Sequence, residues 1–451
     1  MRLGLAAVCA AMMLVFCNIA SADTGPVAAP TTKVSVQSLA PLAPPVSPQA
    51  GFDAMKATNA YLAQVSGKAR AQSDSYFEGG YVLILVDAVY AVLVAAIILW
   101  LGISARIRDF AQRQTKSRFW QVPIYVIAYT ILTTAMTFPL TVFENFIREH
   151  NYGLSNQNFL QWFGDFGIGF GVELVASTIL ITVIYAVIRR APRTWWMWGT
   201  LVTVVFMMIG GTIAPVFVAP LLNHYTPLPE GKLKSEILSV ARAEGIPATN
   251  VYEFDASRQT KRVSANVSGM FGTTRISMND NLLKRCTPDE IIAVLGHEMG
   301  HYVLDHTWLL LSWIGLLIFV GFGFVNWGFG VLVRRFGATW RVTGIDDPAG
   351  LPVLMGVLAV FFLLATPVQN TIVRTAEAQA DIFGVNAVRQ PDGFAKSALM
   401  LAEYRKLDPT PLEEFVFYDH PSGRSRIYMM MRWKAEHLND WDIKNGPVSP
   451  H

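Results

Sequence analysis

Six stretches of this chain, over residues 81–104, 122–143, 167–188, 195–221, 307–333 and 351–372, are apolar enough to cross a membrane. Each supplies the roughly 20 helical residues that a hydrocarbon core requires. Six such lengths fit a soluble protein poorly, so the sequence predicts a mostly α-helical, multi-span membrane bundle. Composition agrees: 52% of the 451 residues are apolar and 15% are charged, where soluble domains carry roughly 25% charge. Trp195, Trp196 and Trp198 suit an interfacial aromatic belt at the start of the fourth span. That span carries Gly210, Gly211, Pro215 and Pro220, which predicts a kink or break near its end. A net charge of +3 with no basic stripe leaves no footprint for nucleic acid.

Residues 1–22 read as a secretory signal. Arg2 is the positive end, residues 3–16 the apolar stretch, and Ala20-Ser21-Ala22 a small-x-small cleavage site. Residues 23–50, rich in Pro, Ala, Val and Ser, read as a flexible linker. Residues 51–80 are polar and weakly helical, as a segment on the membrane surface would be. The three cysteines are Cys9, Cys17 and Cys286. Two lie in the signal, so neither a disulfide framework nor a cysteine metal site is expected.

The chemistry concentrates in His297-Glu298-Met299-Gly300-His301. Thr287, Pro288 and Glu290 just upstream form a helix start: a cap, a first-turn proline and the acidic half of a capping box. On the helix that follows, His297 and His301 lie one turn apart on one face, so both imidazoles reach one ion. Glu298 is rotated about 100° from His297. It stands beside the metal, placed to take a proton from the attacking water and pass it to the leaving amine. Histidine is scarce, eight in the chain, which favours this reading over two ordinary helical histidines.

A catalytic zinc takes three protein ligands and keeps one position open. The metzincin pattern fails, because Leu304 and Thr307 stand where it needs Gly and His. His306 is five residues past His301 and off the ligand face. Glu377 is the better third ligand. Asp381 shares its helix face and is placed to hydrogen-bond a ligand histidine. The same pair also fits two solvated carboxylates on a surface helix. His420, followed by Arg424 and Arg426, offers donors to a developing oxyanion, or else a loop histidine with surface arginines. Residues 262–269 resemble a short strand, and an exposed strand edge pairs with extended peptides.

These residues resemble the membrane-embedded zinc CAAX prenyl endopeptidases and their bacterial relatives. The likeness spans residues 80–434. It runs through Ile213-Ala214-Pro215, the Asn223 to Leu228 stretch, Lys261 to Ser264, Arg275-Ile276, Asp280 to Leu283, the His297 helix, Glu377 to Asp381, and His420-Pro421. It implies a bundle of spans around a water-filled chamber with one zinc ion at one end. A small α+β zincin domain would be inserted between spans. It implies that Glu377 is the third ligand, Asp381 a catalytic or supporting residue, and His420 and Arg426 contributors to substrate or oxyanion binding. The substrate-facing strand falls on Ser264, Ala265 and Asn266, where the family usually has an Asn-Ala pair at 264 and 265. Ser425 replaces the family's acidic residue before the last arginine. The signal and linker stand in place of the family's first span.

The expected organisation is therefore signal 1–22, linker 23–50, polar segment 51–80, four spans in 81–222, zincin domain 223–306, two spans in 307–372, a C-terminal domain 373–438 bearing the third ligand, and a tail 439–451. Within 223–306 the pattern predicts a helix over 232–244 and strands over 251–254, 262–268 and 275–278.

Three short loops are basic: Arg106, Arg108, Arg113, Lys116 and Arg118; Arg189, Arg190 and Arg193; Arg334, Arg335 and Arg341. If the spans alternate, all three lie on one side, and basic loops stay cytoplasmic. The zinc ligands then face the periplasm of a bacterial inner membrane. The resemblance points to the cytosolic side instead. The expected function is a zinc metalloendopeptidase acting on a peptide or protein substrate in or near the bilayer. Two alternatives are an intramembrane site-2-type protease, suggested by Gln390-Pro391-Asp392-Gly393, and a transporter or scaffold with a structural zinc site.

Overall fold

The structure is a computed structural model and describes residues 52–268 and 274–445. The signal and the linker expected over residues 1–50 lie outside the described residues, as does the tail beyond residue 445. The chain runs through helices α1 (Ala54–Leu62), α2 (Gly67–Trp100), α3 (Ile103–Gln114), α4 (Arg118–Val142), α5 (Phe159–Arg190) and α6 (Trp195–Ile213). Strand β1 (Tyr225–Pro227), α7 (Lys232–Ala243), and strands β2 (Val251–Phe254), β3 (Ala265–Ser268) and β4 (Arg275–Asn279) follow. The rest is helical: α8 (Asp280–Arg285), α9 (Pro288–Val303), α10 (His306–Trp340), α11 (Leu351–Val388), α12 (Pro391–Met400), α13 (Pro411–Phe417) and α14 (Gly423–Glu436).

Among the described residues six helices are long and apolar enough to cross a membrane, and each coincides with one of the six expected spans. The first ends at Trp100, where a turn leads into α3, rather than at residue 104. Several run further than expected. Helix α2 starts at Gly67, because its first turns carry Arg70, Asp74 and Glu78 out to partners. Arg70 approaches Asp408 at 3.7 Å, and Lys406 Nζ donates to Glu78 at 2.7 Å. Helix α11 crosses the expected boundary at residue 372 without a break. Glu377 and Asp381 beyond that boundary are buried while Thr375, Gln379 and Asn386 are exposed, so nothing in the chain requires the helix to stop at the end of its apolar run.

The fourth span behaves as its prolines dictate. After α6 the backbone widens into a π-turn over Ala214–Val218 and a last turn over Ala219–Leu222. Proline lacks an N–H and cannot complete the ladder, which leaves a carbonyl to be satisfied elsewhere. Arg275 on β4 donates to Pro215 O at 2.8 Å, tying the sheet to the end of this span.

The sheet has the order β1-β2-β4-β3, with β2 and β4 parallel and the other pairs antiparallel. Its buried face, with Ala265, Val267, Ile276 and Met278, packs on Ile291, Ile292, Leu295 and Met299 of α9. The expected strand over 262–268 begins only at Ala265. The Asn279 side chain accounts for this, accepting from Ser264 N at 3.1 Å and donating to Arg262 O at 2.8 Å. It thereby takes over backbone groups that a longer ladder would use. Helix α1 does not lie apart on a surface. Its Leu62 packs into a cluster with Phe394, Ile427 and Met430 of α12 and α14.

Candidate active site

Helix α9 begins as its sequence predicts. Pro288 opens the helix, and Glu290 Oε2 accepts from Thr287 N at 2.9 Å in a capping box. One face of α9 is committed to the sheet. The other lies against α11 at a distance set by small residues. A Cβ on Gly300 would stand 3.0 Å from Ala380 O, and one on Gly384 would stand 2.8 Å from His297 N. Gly296 is equally confined, by Val388 at 2.8 Å. Larger side chains would hold the axes apart by ridge-into-groove packing. Here the backbones nearly touch, and side chains from one helix reach the other.

That contact brings Glu377 and Asp381 to the histidines. His297 Nε2 lies 3.2 Å from His301 Nε2 and 3.2 Å from Glu377 Oε2, and His301 Nε2 lies 3.4 Å from Glu377 Oε1. A tetrahedral zinc with bonds of about 2.0–2.1 Å spaces its donors by about 3.4 Å, so this triangle has the dimensions of such a site. Glu377 Oε2 is buried and faces the imidazole nitrogens of His297 and His420, each at 3.2 Å, as a carboxylate completing a cation site would. Two imidazoles and a carboxylate are also the donor set that suits zinc.

His297 Nδ1 donates to Asp381 Oδ1 at 2.8 Å. Asp381 is fully buried and also accepts from Arg426, through Nε at 2.8 Å and through a second guanidinium nitrogen. Burial works against a charge on His297, but the Asp381 and Glu377 carboxylates outweigh it and push its pKa up to about 10. Burial pushes the Glu298 carboxyl above the ordinary glutamate range, with His297 and His301 pulling the other way. A raised carboxyl beside the donor triangle suits proton transfer in both directions.

The structure brings His297, Glu298, His301, Glu377, Asp381, His420 and Arg426 together. His420 Nε2 is 3.2 Å from Glu377 Oε2, and its Nδ1 is paired with Asp419 Oδ1 at 2.8 Å. The Arg426 guanidinium is directed at Asp381, while Arg424 is bound to Asp408 at 2.6 Å and stands outside the site. Ser264 is exposed just ahead of β3, Ala265 is buried toward α9, and Asn266 is half-buried. Strand β3 is the end strand of the sheet, so one of its edges is unpaired among the described residues. Asp392, of the stretch that suggested a site-2-type protease, accepts from Tyr61 Oη at 2.7 Å and Lys434 Nζ at 2.5 Å. It serves as a tether between helices outside the donor triangle, and that alternative loses its motif.

Sequence reasoning missed the contact that makes the site. The signal was present: Gly296 and Gly300 are four apart on α9, and Ala380 and Gly384 four apart on α11. Small residues at that spacing let two helices approach closely. It also set aside His306, which the structure places against His301 at 2.9 Å between Nδ1 atoms.

A helical bundle of six apolar spans, with a His-Glu-x-x-His helix pressed on the end of its last span, defines a membrane metallopeptidase. Comparisons with known proteins give the family. The model of peptidase family M48 matches residues 227–434, and that of the CAAX prenyl protease N-terminal region, with five membrane helices, matches residues 60–224. Four of the apolar helices fall in that second range. The uncharacterized metalloprotease YhfN of Bacillus subtilis is 30% identical over 328 residues, covering 72% of this chain and 77% of that protein. The CAAX prenyl protease 1 homolog of Arabidopsis thaliana is 30% identical over 305 residues, covering 64% and 68%. The crystal structure of S. mikatae Ste24p shares the fold, with a TM-score of 0.69 and 20% identity, covering 84% of this chain and 95% of that one. The chain belongs to peptidase family M48. It is a membrane zinc metalloprotease of the CAAX prenyl protease type.

Proposed function

We propose that His297, His301 and Glu377 hold one zinc ion, and that Glu298 is the general base and acid of peptide-bond hydrolysis. The observation that carries this reading is the triangle of Nε2, Nε2 and carboxylate atoms at 3.2–3.4 Å with Glu298 alongside. Zinc, when bound, supplies Lewis-acid polarisation of the scissile carbonyl and acidifies water. Glu298 takes the proton of the attacking water and returns it to the leaving amine. His420 donates to the developing oxyanion. Asp381, held by Arg426, fixes the ring of His297 with Nε2 toward the metal. In this reading Arg426 is a positioning residue. The free edge of β3 at Ser264, Ala265 and Asn266 binds the substrate backbone.

A direct test of the ligand set is zinc content. The wild type should retain one zinc per chain, and His301→Ala and Glu377→Gln should not. Retention by both variants would place the metal elsewhere. A structural zinc in a transporter or scaffold has no use for Glu298, which is present beside the triangle.

The substrate is a peptide or protein presented at the membrane. The Arabidopsis relative is named a CAAX prenyl protease and the Bacillus one only a metalloprotease, and this chain departs from the family pattern at Ser264 and Ser425. We place no prenyl requirement on it. Paired peptides with and without a farnesyl group should be cut alike, and strict dependence on the farnesyl group would refute this.

The zinc side is proposed to face the periplasm of a bacterial inner membrane. The three basic loops meet at one end of the bundle: Arg108 donates to Asp347 at 2.9 Å, and Arg189 donates to Arg118 O at 2.5 Å. Glu377 lies 26 residues beyond the start of α11 at Leu351, about 39 Å of helical rise, at the other end. Basic loops stay cytoplasmic. A phosphatase fused at the C-terminus should be active, whereas a fluorescent cytoplasmic fusion would refute the orientation.

A further inference from the structure

His301 is held by a second histidine. Its Nδ1 lies 2.9 Å from His306 Nδ1, and His306 Nε2 lies 3.0 Å from Gln379 Oε1. Resting on the zinc reading above, we propose that His306 is a positioning residue: its Nδ1 accepts the Nδ1 proton of His301 and so fixes that ligand's tautomer and ring orientation.

Two adjacent imidazole nitrogens form a hydrogen bond only if one carries the proton and the other a lone pair. Gln379 Oε1 accepts only, so His306 Nε2 must carry hydrogen. In the neutral ring His306 Nδ1 is then the lone pair. The shared proton belongs to His301 Nδ1, which leaves His301 Nε2 as the lone pair turned toward His297 and Glu377. Starting from the metal gives the same direction, since a ligating Nε2 requires Nδ1–H. The chain of bonds is therefore consistent from either end.

The backbone is built to bring the second ring there. Asp305, between α9 and α10, has φ of 54°, in the left-handed region that non-glycine residues rarely occupy. That turn ends α9 at Val303 and restarts the chain at His306, which is 1% exposed at the head of a membrane span. The two rings meet edge to face at 5.0 Å. His297 receives a carboxylate, Asp381, while His301 receives a neutral ring. Glu377, Gln379 and Asp381 thus all act from one helix, one as ligand and two through histidines. Gln379 is exposed, so water can replace its oxygen, and His306 carries the effect.

The test measures zinc affinity of the purified full-length protein by competition with a chromophoric chelator, for His306→Asn, His306→Gln and His306→Leu. Asn places an oxygen where His Nδ1 was, whereas Gln places it where Nε2 was. His306→Gln and His306→Leu should weaken zinc by about 10–100-fold, the usual loss for partners of metal-bound histidines. His306→Asn should remain near wild type. Equal losses for Asn and Gln would reduce His306 to a packing residue, and wild-type affinity in Leu would overturn the proposal outright. If the wild type itself binds no stoichiometric zinc, the zinc reading fails, which is a distinguishable result.

Discussion

A methyl group on Gly384 of α11 would stand 2.8 Å from the His297 backbone nitrogen and 2.9 Å from the Gly296 carbonyl carbon. Both obstacles are backbone, so the helices must separate to admit it. Gly384→Ala should therefore cost about 1–3 kcal/mol of stability, as overpacking does. It should also lower zinc retention, because Glu377 and Asp381 ride on the displaced helix. Gly164→Ala, which meets nothing within 4 Å, is the matched control and should leave zinc retention unchanged without lowering the melting temperature, since alanine is the better helix former.

Asp381 is 0% exposed and pairs with His297 and Arg426. Removing one partner of a buried pair leaves an uncompensated charge, at about 3–5 kcal/mol. Arg426→Gln should destabilise the protein by that order in thermal melts. A variant with wild-type stability would mean that Asp381 does not depend on Arg426.

Much of this was legible in the sequence because each feature is local. The spans are runs of apolar residues, and the α9 cap is three residues in a row. The His297/His301 pair is fixed by helical periodicity alone. What was not legible depends on distance across the fold. Nothing near residue 372 shows that α11 continues to Val388: its later turns carry polar residues, of which Glu377 and Asp381 are buried by packing that includes α9, α12 and α14. Arg426 reads in sequence as an oxyanion or substrate donor, and its pairing with Asp381, 45 residues away, is visible only in the fold. His306 is off the ligand face of an unbroken helix. Only the left-handed turn at Asp305 brings it back.

Cys286 follows α8, with Sγ 3.2 Å from Met400 Sδ. Burial, aided by the nearby Glu290 charge, pushes its thiol up to about 11. The neutral form is favoured, so the reactive thiolate is a fraction of about 10⁻³ at pH 8 and grows tenfold per pH unit up to 11. Alkylation of native protein at pH 8 should be roughly a hundredfold slower than in denaturant. Mass spectrometry of the Cys286 peptide checks this, and equal rates would show an exposed thiol.

The most direct test is the peptidase activity of Glu298→Gln alongside its zinc content. Glutamine keeps the size of the side chain and leaves the three ligands in place, but it cannot take a proton from water. Turnover of a peptide substrate should fall by about 10²–10⁴-fold, the usual contribution of a general base, with zinc still near one per chain. Activity that survives with zinc bound would contradict the assignment of Glu298.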